Sequence, residues 1–182
     1  MTDVRLDSRR RSPAGLARLH PGATMIDLTS KAEPPWVRFS PFFPHGGIPV
    51  PFSPGVTTSS VEGAWQALKV FATADVDASK LRITDMKGLK RSVARHGRCL
   101  GHREGMQGTR LLGYIEARKA IYLPLYHFVL RERLQPELAR LRELAGSGPL
   151  VLLDYETNAD VDDASRPLSH AALVIAWLRE NA

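Results

Sequence analysis

The chain has 182 residues, 43% of them hydrophobic and 24% charged, which supplies a real core for one domain of ordinary size. No apolar run approaches the roughly 18 residues that a membrane-crossing helix needs, the amino end is charged, and the lone Cys99 excludes an internal disulfide, so a cytoplasmic protein with no membrane partner is expected. The formal charge of +6 is concentrated: nine Lys or Arg stand between Lys80 and Arg110 against Asp85 and Glu104, which favours phosphate-bearing ligands or else forms a solvated face.

Residues 1–24 carry Arg5, Arg9, Arg10, Arg11 and Arg18 without a periodic apolar pattern, and read as a flexible basic arm ahead of a domain spanning 25–182. Met25 to Thr29 alternates apolar and polar residues, as a short strand does. Seven prolines between Pro34 and Pro54 fix φ and remove donors, so turns and short extended pieces are expected, with His45-Gly46-Gly47 turning into a strand over Ile48 to Phe52. A helix is predicted from about Ser60 to Phe71 and another from Lys80 to Arg95, kinked near Gly88 and closed by Gly97. Cys99 to Gly108 is Gly-rich and basic, suited to a phosphate-facing loop. Leu111 to Leu134 is the longest helical stretch, expected to be kinked or divided after Tyr122 or Leu123 because proline is costly in a helix interior. A further helix covers Glu137 to Leu144. Leu150 to Leu153 is the one continuous apolar run bounded by turn signals, and reads as a buried central strand that delivers Asp154 and an acidic loop containing Asp160. An amphipathic helix from Leu168 to Arg179 closes the chain. The sum is a single α+β domain, mainly helical, with a small sheet.

Within the helix predicted after Ser60, Glu62, Gln66 and Lys69 share one face among small and apolar residues, Trp65 included. A helix with so narrow a polar line is buried on most sides, and a carboxylate and an amine held there belong in a pocket where pKa values shift. The competing reading makes Ser59-Ser60-Val61-Glu62 a capping box and Lys69 a solvated side chain. The six histidines show no spacing suited to a metal site, and no phosphate-binding loop, dinucleotide fingerprint or nucleophile elbow is present.

Two stretches together resemble a known family. Phe39-Ser40-Pro41-Phe42-Phe43-Pro44 is similar to the F-S-x-F-x-P opening of the NADAR superfamily, and Ser60-Val61-Glu62 through Gln66 to Lys69-Val70-Phe71 resembles its [ST]-x-E-x-x-x-Q-x-x-K-[FV] segment. Gly97-Arg98 with Arg103 resembles the family's G-R-x(n)-R element, and Leu152 to Asp154 with Asp160 stands where the family has a strand and a following Asp. The resemblance covers about residues 36–182. It implies an N-glycosidase that cleaves an N-ribosyl bond in a phosphorylated nucleoside-like molecule or in ADP-ribosylated nucleic acid, with no cofactor and no metal. Carried over, it implies Glu62, Lys69, Asp154 and Asp160 as catalytic residues, with Ser40, Phe42, Trp65, Gln66, Arg98 and Arg103 binding substrate. Three departures stand out: Gly63 replaces the family's His, its Trp-Gly is absent near Val161-Asp162, and Pro167-Leu168-Ser169-His170 replaces N-L-x-G. Two alternatives accompany this expectation: a non-catalytic module that binds nucleotide or nucleic acid, and a small interaction protein whose polar line is only a cap.

Overall fold

The computed structural model describes residues 3–181. In chain order the elements are β1 (Val4–Ser8), α1 (Pro13–Leu19), β2 (Thr24–Asp27), a 3-10 turn (Trp36–Phe39), β3 (Ile48–Pro49), β4 (Thr57–Thr58), α2 (Val61–Ala67), β5 (Lys69–Phe71) and a second 3-10 turn (Ala78–Arg82). There follow α3 (Val93–His96), β6 (Cys99–Arg103), β7 (Leu111–Leu112), α4 (Tyr114–Ala117), a π-helical turn (Arg118–Tyr122), α5 (Leu123–Arg133), α6 (Gln135–Ser147), β8 (Leu150–Asp154) and α7 (His170–Glu180). With 40% helix and 17% strand the fold is α+β with helix predominating, as the sequence predicts. Its contacts gather into two compact units, one formed by the chain up to Ser40 together with Leu130 onward, the other by Pro41–Val129.

The first unit is built on a three-stranded parallel sheet in the order β1-β8-β2. The expected central strand is β8, and all five of its residues are buried. Because successive side chains alternate faces, Val151 and Leu153 pack with Leu16 of α1, while Leu150, Leu152 and Asp154 face the other side. The flexible arm is corrected here. Residues 4–24 form β1, α1 and the start of β2, with Val4 paired to Leu150 and Ser8 to Asp154. The arginines that suggested a solvated arm are pinned instead: Arg9 to Asp27, Arg10 to Glu156 and Arg11 to Asp7. Ser12 caps α1 by accepting from the Gly15 N–H, with Pro13 next, where its missing donor costs nothing.

The second unit carries two small antiparallel sheets, β3-β4 and β5-β6-β7. The helix expected over Lys80 to Arg95 is absent. Only the 3-10 turn and the four-residue α3 form there, with Gly88 at φ +65° between them and Gly97 closing α3 at φ +75°. The expected loop at Cys99 is β6, paired to β5 and β7. The expected break at Pro124 is absent: the chain stays helical from Tyr114 to Arg133, with a wider π turn at Arg118–Tyr122 just ahead of Pro124, the second residue of α5, while Leu111 and Leu112, expected in the same helix, form β7.

Leu152 is fully buried in the central strand of its unit. Leu152→Ala is expected to lower the unfolding free energy by about 2–5 kcal/mol, read from the midpoint of a urea titration followed by circular dichroism.

Candidate functional site

The second unit gathers most of the predicted site around α2. Ser60, not Ser59, is the N-cap, its hydroxyl accepting from the Gly63 N–H at 3.0 Å, so Glu62 is free of the capping box. The helix stops at Ala67, four residues short of the predicted Phe71, because the carbonyls at its end are claimed from outside. The Gln66 and Lys69 carbonyls accept from Arg91 Nη1 at 3.3 and 2.6 Å, and the Ala67 and Leu68 carbonyls accept from the backbone N–H groups of Asp77 and Arg103, both at 2.8 Å. Carbonyls satisfied in this way need no further helical turn. Lys69 therefore lies on β5 rather than on the helix, opposite His102 of β6. This corrects the single helical stripe while keeping its members together.

Glu62 is 8% exposed. One carboxyl oxygen accepts from Gln66 Nε2 at 2.7 Å; the other has no hydrogen-bond partner among the described residues and is not sealed from solvent. Burial raises the Glu62 pKa, with Gln66, Lys69 and Lys90 pulling it back. Burial lowers the Lys69 pKa, Glu62 and Cys99 opposing the shift and Lys90 and Arg91 adding to it. Both groups are thus pushed toward their neutral forms without forming an ion pair. Gln66 is fixed in turn, since its Oε1 accepts from the Arg91 N–H at 2.9 Å.

Trp65 stacks on the His102 ring at 3.8 Å, with Tyr114 and Tyr122 edge-on at 6.1 and 5.7 Å. His102 is 2% exposed, neither ring nitrogen has a partner, and burial, with Lys69 nearby, lowers its pKa to about 3, so the imidazole is neutral. Phe42 is half-buried, with the Lys90 ammonium 5.6 Å from its ring centre.

Other predicted residues have different duties. Arg103 is held by Asp75 through two bonds of 3.1 and 2.9 Å and donates to the Thr109 carbonyl, so its guanidinium is tied down within the protein. Arg98 is exposed just before β6, and its side chain has no partner among the described residues. Ser40, Asp154 and Asp160 belong to the first unit. Ser40 is buried at the end of the first 3-10 turn. Asp160 is exposed, its carboxylate accepting from the Asp162 N–H at 2.8 Å to close a turn. Asp154 is a buried acceptor. It accepts from Tyr155 N–H, Ser169 Oγ and His170 Nδ1 at 2.7, 2.8 and 3.0 Å, and more weakly from Ala171 N–H.

In the sequence Arg91 is only one of a basic run, and His102 one of six histidines without metal-site spacing. The arginine is distinguishable only by its buried partners, and the histidine only by the strand pairing that places it beside Trp65. Among the described residues, no three His, Cys, Asp or Glu side chains converge as metal ligands, and no helix is long and apolar enough to cross a membrane.

His170 bridges Asp154 to the Leu28 carbonyl, 2.8 Å from its Nε2. Burial alone would lower its pKa, but the Asp154 charge and hydrogen bond, then Leu28 and Asp27, hold it above 6.5. Asp154 is held below 3.8, His170 and Ser169 outweighing its burial. The His170 contribution to stability is therefore complete below pH 6.5 and lost as pH rises through the raised value, and that of Asp154 is lost only as pH falls through its depressed one. Urea midpoints measured from mildly acidic to alkaline pH are expected to fall on the alkaline side in the wild type, and His170→Gln is expected to remove that alkaline limb.

The model of a family of unknown function (DUF6939) matches residues 8–174. No curated protein and no solved structure matches the chain.

Proposed function

We propose, for a chain that belongs to this DUF6939 family of unknown function, that the second unit hydrolyses an N-ribosyl bond in a phosphorylated nucleoside-like or ADP-ribosylated substrate. The observation that supports this reading is the Glu62 carboxyl group, buried yet keeping one oxygen without a partner. Breaking a bond from nitrogen to C1′ of ribose develops positive charge on the sugar ring. A carboxylate that burial has left poorly stabilised gains most when such a cation forms beside it, so its stabilisation appears in the transition state rather than in the ground state.

The neighbouring groups fit the same chemistry. Gln66 fixes the orientation of the carboxyl, and is itself fixed by Arg91. Lys69, biased toward the neutral amine, can pass a proton or capture a ring-opened sugar aldehyde as a Schiff base. Trp65 with its aromatic neighbours offers a face on which a base can stack. The phosphate partner expected at Arg103 is replaced in this reading by Lys90, which is exposed and acts on Glu62 through its charge.

One observation favours the alternative of a non-catalytic binding module. Arg82, Lys87, Arg95 and Arg98 are exposed, and among the described residues none of them has an anionic partner, as suits a surface that meets a polyanion.

Incubating the protein with ADP-ribosylated guanine nucleotide, ADP-ribosylated DNA and ribosylaminopyrimidine phosphates, with chromatographic detection of freed ADP-ribose from the first two and of the freed base from the third, tests the reading. Turnover is expected on at least one of them, and Glu62→Gln is expected to reduce it by about 100-fold or more. The same substitution is expected to leave the thermal midpoint unchanged or higher, since it removes a buried carboxyl and keeps the partner of Gln66. Absence of turnover on every substrate, or full turnover by Glu62→Gln, would sink the hydrolase. Calorimetric binding of ADP-ribose that survives Glu62→Ala without product points to the module.

A further inference from the structure

The first unit contains a cavity of about 360 Å³ whose lining includes Arg9, Arg11, Leu16, His20, Met25 and Asp27. The volume falls within the range that small-molecule ligands occupy. Arg9 is the first residue past β1, Asp27 the last of β2, and Leu153, also on the wall, the next to last of β8. The cavity thus runs along the sheet from Ala23, just ahead of β2, to the carboxyl ends of the parallel strands, the edge at which open parallel sheets take their ligands.

Its polar groups are held in place and incompletely used. Asp7 Oδ2 lies 2.7 Å from His20 Nε2, and since a carboxylate accepts, Nε2 carries the proton. Burial on its own would raise the Asp7 pKa, but His20, the Ser8 N–H and Arg11 together hold it low, so the acceptor is ionised. In neutral His20 this leaves Nδ1 as an acceptor, and that atom is buried without a hydrogen-bond partner. Arg9 and Arg11 are each anchored through Nε alone, to Asp27 at 2.7 Å and to Asp7 at 2.8 Å. Their terminal Nη groups make no hydrogen bond among the described residues. A guanidinium fixed at one edge in this manner presents its remaining donors as a preset fork for an oxyanion. Leu16, Ala17, Met25 and Leu153 supply an apolar wall.

We propose that this cavity binds a small organic anion bearing a hydroxyl near its acidic group, the hydroxyl donating to His20 Nδ1 and the anionic oxygens accepting from Arg9 and Arg11. Asp7 and Asp27 balance the two guanidinium charges, so recognition rests on directed hydrogen bonds rather than on bulk attraction. A nearby hydroxyl is required because only a donor satisfies the buried ring nitrogen, and an anion alone would leave it unpaired.

The test uses the full chain labelled with ¹⁵N in its histidines, at a pH of about 8, above the ordinary imidazole range. The His20 ring signals are assigned by their loss in His20→Gln. The probes come in two pairs, glycerol 3-phosphate with methyl phosphate and lactate with propionate, so that the responding pair tells a phosphate ester from a carboxylate. A saturable shift at His20 Nδ1 is expected for the hydroxylated member of at least one pair, with binding about tenfold tighter than for its partner. Arg9→Gln is expected to weaken that binding by a similar factor while leaving the His20 signals of the free protein in place. No saturable shift with any of the four probes, equal affinity within each pair, or wild-type binding by Arg9→Gln would overturn the assignment.

Discussion

The end of α2 is the constraint on which the second unit depends. A helix of seven residues leaves its last carbonyls without intrahelical donors, and burial denies them water, so each must find a partner or the helix must continue. Arg91 supplies a donor to Gln66, the backbones of Asp77 and Arg103 supply Ala67 and Leu68, and Arg91 donates as well to the carbonyl of Lys69, the first residue of β5. The same guanidinium reaches the Asp75 carbonyl and lies 4.9 Å from the Phe71 ring centre, so one side chain ties the helix end, the following strand and the chain beyond it. Relieved of the need to stay helical, the chain turns into β5, and the Lys69 side chain leaves the helix on a strand paired with His102. The acid and the amine of the candidate site thus come from two rigid elements of different type, whose junction is fixed by hydrogen bonds to Arg91.

Two buried carboxyl groups in this chain are treated in opposite ways, and the contrast separates structural work from candidate chemistry. Asp154 collects donors from Tyr155, Ser169, His170 and Ala171, and is held low in pKa beside the start of α7, whose N-cap is Ser169. Glu62 receives one amide donor and is raised. Burial is comparable at the two positions; the number of donors is not. Groups whose environments push their pKa values apart divide the roles of holding the fold and of exchanging protons. On that physical ground Asp154, to which the resemblance assigned a catalytic role, is a structural carboxylate in the proposed reading, and Glu62 is the one it keeps for chemistry.

What was legible in the sequence follows from the range of the interactions involved. Leu150 to Leu153 announced a central strand because a fully buried parallel strand must be apolar at every position, a local property. Its partner β1 was invisible: Val4 to Ser8 pairs with residues at the other end of the chain, and the arginines that follow mimic a solvated arm until Asp7, Asp27 and Glu156 are seen to receive them. Gly97 was readable because its freedom in φ is intrinsic to the residue, whereas Pro124 does not end the helix, which widens into a π turn at Arg118–Tyr122 and runs on. The stretch from Lys80 to Arg95 misled because its cations mimic a solvated helical face, whereas Gly88 at positive φ and the buried tie of Arg91 take the backbone elsewhere. That Glu62 and Gln66 stand together was legible from helical spacing. Lys69 was expected on the same helix and lies on β5 instead, from where its charge still acts on Glu62.

Gly63 shows how a departure from the resembled superfamily can be a demand of packing. A Cβ at this position would stand 2.8 Å from the Lys80 carbonyl and 2.9 Å from Thr58 Oγ1, which is itself bonded to the Ser60 carbonyl. The 3-10 turn at Ala78–Arg82 packs directly on α2, so any side chain after Glu62 would force the two apart. A histidine at that position is excluded on steric grounds. An imidazole does stand in this unit on β6, where His102 lies against Trp65 and neither ring nitrogen has a hydrogen-bond partner among the described residues. The change from His to Gly is thus set by packing, and the helix that presents Glu62 keeps its place.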